Sequence, residues 1–143
     1  RNIQIIFDLN IRINRWDKKE LDIALSQILS KIDILFASGE DLSFWKHDQS
    51  IKMFKNILKK YKISHGVYRK NAQFNYSFFN NKKYLIKNKV IRNVIDTSGA
   101  GDGYNAEYIS NFANNAKPEY ALESASKVGA KIIMKKGAIV NVR

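Results

Sequence analysis

Apolar residues first gather in Ile3-Gln4-Ile5-Ile6-Phe7, a short run that ends in Asp8-Leu9-Asn10. A near-continuous apolar stretch meeting polar residues predicts a buried parallel strand over 3–9 that leads into a functional loop. From Asp17 the period changes. Leu21, Leu25, Ile28, Leu29 and Ile32 recur at i, i+4, i+7, i+8 and i+11, one face of an amphipathic helix. Asp17, with Glu20 three residues on, forms an acidic variant of the capping box at its start. Ile34-Leu35-Phe36-Ala37 predicts a second buried strand, after which Ser38-Gly39-Glu40-Asp41 opens a short helix through Trp45. A third helix is predicted from Ser50 to Tyr61, with Ile51, Phe54, Ile57 and Leu58 turned inward. Strands follow over 63–69 and 73–79, and Asn80-Asn81 supplies a turn into Tyr84-Leu85-Ile86, so the last two strands pair as a hairpin. Helices over about 101–114 and 118–135 complete the pattern. Pro118 suits the first turn of the second, where a missing N–H costs little.

This alternation predicts an α/β layered fold with a mostly parallel sheet and a β-hairpin. The chain has 143 residues, 45% hydrophobic and 27% charged, enough apolar material for the core of one domain. No repeat, low-complexity tract or linker divides it, and the opening residues read as the middle of a fold with strands expected upstream. No apolar run approaches the ~20 residues of a membrane span. With no cysteine, disulfides and thiolate-bound zinc are excluded, and a cytoplasmic, reducing setting is the expectation. The formal charge of +12 raises the question of nucleic acid. Lysines, however, run from Lys18 to Lys136, often beside asparagine, and the densest group (Lys55, Lys59, Lys60, Lys62) lies on or just after a helix whose other side is apolar. A solvated face is therefore expected, with no specific nucleic-acid partner and no membrane partner. His47 and His65 have no partner at metal spacing and read as structural or surface residues.

The stretch richest in chemistry is Asp96-Thr97-Ser98-Gly99-Ala100-Gly101-Asp102-Gly103-Tyr104-Asn105-Ala106. Gly99 and Gly101 permit backbone angles and close approaches that side chains block. A helix begins there, so amides without intrahelical partners face outward and attract phosphate oxygens, each such interaction being worth ~0.3–2 kcal/mol. Asp102 falls in the first turn, where the helix dipole favours a carboxylate. A carboxylate beside an anion hole is the arrangement that takes a hydroxyl proton as a phosphoryl group transfers. A plain glycine turn with an acidic helix start is the alternative. Near the other end Asp8, Asn10 and Arg12 alternate along an extended segment, which puts them on one side. Arg12 can grip a carboxylate or phosphate at two points, and Asn10 offers both donor and acceptor. Here the alternative is an ion pair between Asp8 and Arg12 at a strand end.

Asp96-Thr97-Ser98-Gly99-Ala100-Gly101-Asp102 resembles the C-terminal signature of the ribokinase-like sugar kinases, the PfkB family, and the similarity extends through most of the chain. The resemblance implies the C-terminal part of a ribokinase-like three-layer α/β/α fold, with ATP and Mg2+ as cofactors. It makes Asp102 the base and Gly99, Ala100 and Gly101 the anion hole. Gly103 and Tyr104 stand where the family more usually has alanine or serine and phenylalanine, whereas Asn105 and Ala106 match. Asp8-Leu9-Asn10-Ile11-Arg12, followed by Trp16, is similar to a segment of 2-keto-3-deoxygluconate kinases and some fructokinases. That implies substrate-binding roles for Asp8, Asn10 and Arg12, beside Asp102. Ser38-Gly39-Glu40-Asp41 occupies the place of an Asn-x-x-Glu motif that organises magnesium and phosphate. Ser38 would then touch nucleotide, while Asp41, with Glu40 sharing the role, would serve the metal; helix capping is the alternative. Arg69-Lys70-Asn71-Ala72 stands at a Lys-x-Gly-Ala-like turn beside the nucleotide, with Asn71, tolerant of positive φ, in the glycine's place. A basic turn is the alternative there. Ala121, Ser124, Ala125, Val128, Gly129 and Ala130 form a small-residue helix surface that in the family flanks adenine, and Gly137-Ala138 matches the terminal segment. Ala125, Val128 and Gly129 thus join Ser38, Arg69, Asn71, Gly99 and Gly101 as nucleotide-binding candidates, with close helix packing as the competing explanation.

The resulting expectation is ATP-dependent phosphorylation of a sugar or keto-sugar acid hydroxyl, 2-keto-3-deoxygluconate before a fructokinase-like substrate. From a different class, the alternative is a non-catalytic nucleotide-binding remnant or a basic binding module. Family members are about twice this length. Residues 1–143 are accordingly expected to be the C-terminal ATP-binding and catalytic half, lacking the N-terminal half and lid and inactive alone, with a homodimer expected of the complete protein.

Overall fold

The computed structural model describes residues 3–142, apart from the side chain of Ile13. The chain divides into two compact units, Arg1–Lys83 and Tyr84–Arg143. The boundary falls inside a strand, which is why no linker marks it in the sequence.

The first unit holds β1 (Ile6–Asp8), a 3-10 turn (Ile13–Arg15), α1 (Lys18–Leu29), β2 (Ile34–Ser38), α2 (Gly39–Lys46), α3 (Ile51–Tyr61), β3 (His65–Arg69) and β4 (Phe74–Phe79). β5 (Lys82–Lys87) crosses the boundary, and the sheet order is β1-β2-β3-β4-β5. β1, β2 and β3 are parallel, and β4 runs back against β3 with Tyr68 opposite Tyr76. Between β4 and β5, Asn80 and Asn81 take φ of 50° and 60°. Two consecutive left-handed residues make the tight turn whose twist suits a hairpin, and asparagine tolerates that conformation better than most side chains.

Strand alternation sorts the core. Leu35, Ala37, Tyr68, Tyr76 and Phe78 pack with Leu21, Leu25 and Leu29 of α1, Leu42 and Trp45 of α2, and Phe54, Ile57 and Leu58 of α3. Phe54 stacks on Tyr68 at 4.8 Å between ring centroids. Each fully buried side chain of this size contributes ~1.5–3 kcal/mol. The alternate strand positions, Ile34, Phe36, His65, Val67 and Ser77, are also buried. His65 shares a 3.3 Å hydrogen bond with Ser77, and burial pushes its imidazole down to about 4, so the ring is neutral at pH 7.

Two expectations need correction. The first strand is not buried: it lies at the end of the sheet order, and Ile3, Ile5 and Ile6 are exposed. The helical stripe on α1 is narrower than its period suggested, because Ile28 is 39% exposed. Asp17 does cap α1, accepting from the amides of Lys19 and Glu20 at 2.8 and 3.4 Å. The reciprocal capping box stands elsewhere, at α2.

In the second unit α4 (Ala100–Ala113) packs on α5 (Pro118–Ile133), burying Tyr104, Tyr108, Ala121, Leu122, Ala125 and Ile132. A Cβ on Gly103 would overlap Cδ1 of Ile132, so the small residue in this helix turn makes room for the partner helix. The Glu107 carboxylate accepts from Ser124 Oγ at 2.5 Å and from Asn111 Nδ2 at 2.8 Å. Those bonds, Ser124's first, hold its carboxyl below the usual range.

Candidate active site

The turn before α4 is built around Asp96 and Gly99. Asp96 Oδ1 accepts from the Ser98 amide and Oδ2 from the Gly137 amide, both at 2.9 Å. The bonds from Ser98, then that from Gly137, hold its carboxyl below the usual range. Gly99 is the N-cap with φ 73°, and a Cβ there would come 2.5 Å from the Ala138 carbonyl. Both the left-handed angle and the neighbouring carbonyl therefore require glycine. Ala100 N–H donates to Thr97 O at 3.2 Å, and Gly103 N–H to Gly99 O at 2.9 Å. Between them, the amides of Gly101 and Asp102 make no hydrogen bond among the described residues, and no side chain caps the helix. Unpaired amides and the positive helix end make a ready anion site. Asp102 is exposed in the same turn.

Gly129 of α5 lies beside this turn, its Cβ direction passing 3.7 Å from the Ala100 carbonyl, and Val128 is partly exposed near Gly103. Ala125 is a correction. It has no exposed surface, and neither has Ala121; both serve helix packing, the competing reading of the small-residue stripe.

In the first unit the C-terminal ends of β1, β2 and β3 gather the other candidates. Asp8 pairs across β2 with Arg69, Oδ2 to guanidinium at 3.5 Å, so its ionic partner comes from β3 and Arg12 remains exposed. Leu9 N–H still follows the sheet, donating to Phe36 O at 3.0 Å. Asn10 then takes φ 36°, and Ile11 N–H donates to Asp41 Oδ1 at 2.8 Å. Asp41 Oδ2 accepts from Ser38 N and Ser38 Oγ, each at 2.7 Å, while Ser38 Oγ accepts from Asp41 N at 3.1 Å. Asp41 is 6% exposed. Here the capping alternative describes both Ser38 and Asp41. Gly39 abuts the Lys70 carbonyl so closely that a Cβ would overlap it. Asn71 is not left-handed, against the expectation drawn from the glycine it replaces. Its Oδ1 instead closes the β3–β4 turn, accepting from Gln73 N and Phe74 N at 3.0 and 2.9 Å.

Among the described residues no three His, Asp or Glu side chains come together as metal ligands. Mg2+ does not need them: it keeps several waters and binds through one or two carboxylates plus substrate phosphates. Glu40, exposed on the first turn of α2, suits that part, because both oxygens of Asp41 are engaged.

Three groups were not singled out from the sequence: the Asp96 carboxylate, Gly39, and the Ile11 amide. An aspartate two residues before Ser98 is an Asx-turn signal that could have marked the first. The other two depend on tertiary neighbours.

Residues 1–143 match the pfkB family carbohydrate kinase pattern, and the chain belongs to that family. The 2-dehydro-3-deoxygluconokinase of Haemophilus influenzae is 25% identical over 147 residues, covering 99% of this chain and 46% of that protein. The chain thus spans about half the length of the curated relative it matches. A fructokinase from Vibrio cholerae O395, solved with fructose, ADP and calcium, superposes with a TM-score of 0.80 at 25% identity, covering 94% of this chain and 46% of that one. The 2-dehydro-3-deoxygluconokinase of Thermotoga maritima gives 0.75 at 20% identity, with 96% and 46% covered. The ribokinase-like α/β fold expected from the sequence is thereby shown.

Proposed function

We propose that the complete protein phosphorylates a sugar hydroxyl with ATP, and that 2-keto-3-deoxygluconate is its acceptor. The observation that carries the reading is the uncapped start of α4, where two amides without partners among the described residues stand beside the exposed Asp102 carboxylate. In the reaction the acceptor oxygen attacks the γ-phosphorus, the bond to the β,γ-bridging oxygen breaks, and ADP leaves. Asp102 takes the acceptor hydroxyl proton. The Gly101 and Asp102 amides stabilise phosphoryl oxygens as charge builds on them. Mg2+, when bound, neutralises charge on the nucleotide phosphates, with Glu40 the carboxylate available to it. Arg12, exposed and planar, suits a carboxylate on the acceptor, and the Haemophilus relative's name agrees with a keto-sugar acid.

A fructokinase-like reading is favoured by the Vibrio structure, whose bound sugar is fructose. A panel of 2-keto-3-deoxygluconate, fructose and ribose with MgATP and the complete protein separates the two. The keto acid is expected to give the highest kcat/KM; preference for fructose reverses the assignment. No turnover with any sugar favours the nucleotide-binding remnant. Residues 1–143 alone are expected to be inactive and to self-associate through the exposed edge of β1, checked by coupled assay and light scattering.

A further inference from the structure

We propose that Asp41 is a positioning residue that holds the Asp8–Arg12 segment in shape, and not a magnesium ligand; the kinetic part of this rests on the sugar-kinase reading above. The carboxylate is almost wholly buried, and each oxygen has work on a different segment. Oδ2 closes the α2 cap through Ser38 N and Ser38 Oγ, and Oδ1 reaches Ile11 N at 2.8 Å. Helix capping accounts for the first pair of bonds but not for the second, which joins residues 30 apart in sequence.

The Ile11 bond falls where the chain needs support. Leu9 is the last residue to bond with β2, and Asn10 directly after it leaves the sheet with φ 36°. A non-glycine residue in that region persists only when its surroundings hold it there. Ile11 N–H is the first backbone group beyond the bend to be tied down, and Arg12 follows it. α2 is anchored in turn, since Gly39 fits against the Lys70 carbonyl with no room for a side chain. Asp41 thus transmits the position of the β3–β4 turn and α2 to the segment carrying Asn10 and Arg12.

The test compares Asp41→Asn with Ser50→Ala in the complete protein. Ser50 caps α3 through the Met53 amide at 3.0 Å and controls for loss of a helix cap elsewhere. In Asp41→Asn one amide N–H2 must face an N–H, at Ser38 or at Ile11. Amide exchange at Ile11 is expected to accelerate ~10–100-fold while that at Leu9 stays unchanged, the mark of a local opening. KM for 2-keto-3-deoxygluconate should rise ~5–50-fold, the scale of a lost positioning contact, with KM for MgATP and the Mg2+ half-saturation concentration unmoved. Ser50→Ala should lower Tm and change none of these. Asp41→Glu, which restores the carboxylate, should recover part of the acceptor affinity, and its Ile11 exchange serves as the readout if Asp41→Asn does not fold. Unchanged Ile11 exchange, or a raised Mg2+ requirement with acceptor KM constant, overturns the proposal. If the wild type phosphorylates no sugar, the sugar-kinase reading fails, while Ile11 exchange still decides whether Asp41 holds the segment.

Discussion

α2 and α4 each have a glycine at their start (Gly39 as the first helical residue, Gly99 as the N-cap) and an acidic residue in the first turn, and they treat their exposed amides in opposite ways. At α2 the Ser38 hydroxyl and Asp41 carboxylate satisfy each other's backbone, and the carboxylate is buried. At α4 no side chain caps the helix, two amides are left without partners among the described residues, and Asp102 is exposed. The difference lies in where the bracing acid sits. Asp41 is three residues after the N-cap and folds back onto it. Asp96 is three residues before Gly99 and braces the turn from outside, through Ser98 and Gly137, so the helix end itself stays open. A closed start fixes backbone; an open one can receive an anion.

Replacing Asp102 by asparagine should break the comparison most severely. In the complete protein kcat is expected to fall ~10²–10⁴-fold, the scale of general-base catalysis, with nucleotide affinity near wild type by calorimetry. Near-normal turnover would leave α4 merely an uncapped helix. Gly99→Ala comes next. The left-handed angle and the Ala138 carbonyl both oppose a side chain, and destabilisation of roughly 1–3 kcal/mol in chemical denaturation is expected, with weaker ATP binding. Unchanged ATP binding would mean the amides do not receive phosphate. Ser38→Ala removes one of the partners at the closed start and should lower stability by about 1 kcal/mol. The smallest effect is a titration. Asp96 has its carboxyl lowered from 3.8, so the stabilisation it gives is present above that pH and is lost as pH falls through its lower folded value. The Ser98 and Gly137 amide shifts should move together in acid; independent movement would separate the two halves of the brace.

Much of this was legible in residue order. Helical period placed α1 and α3, apolar runs placed β2 and β3, and Asn80-Asn81 announced the hairpin turn with both residues left-handed. The signature at 96–102 located the open helix start, because glycine and aspartate there act on their own backbone. What was illegible depended on neighbours distant in sequence. Ala125 reads as ligand surface or packing surface alike until α4 lies against it. Asp41 reads as a ligand because a carboxylate after a strand is chemically suggestive. Nothing local reveals that Ile11, 30 residues upstream, brings it an amide. Asn10 was singled out for its side chain, whereas its positive φ was invisible without the bend it makes.

Gly39 bears on how the first unit can change over generations. Its missing side chain is space taken up by the Lys70 carbonyl, so drift at this position is closed to every other amino acid unless the β3–β4 turn moves with it. The next residue, Glu40, points to solvent and meets no such barrier. A position closed by space thus lies directly beside one held only by its chemistry: exchange at Gly39 would move backbone, whereas exchange at Glu40 would alter the charge at the head of α2 with the backbone presenting it still in register.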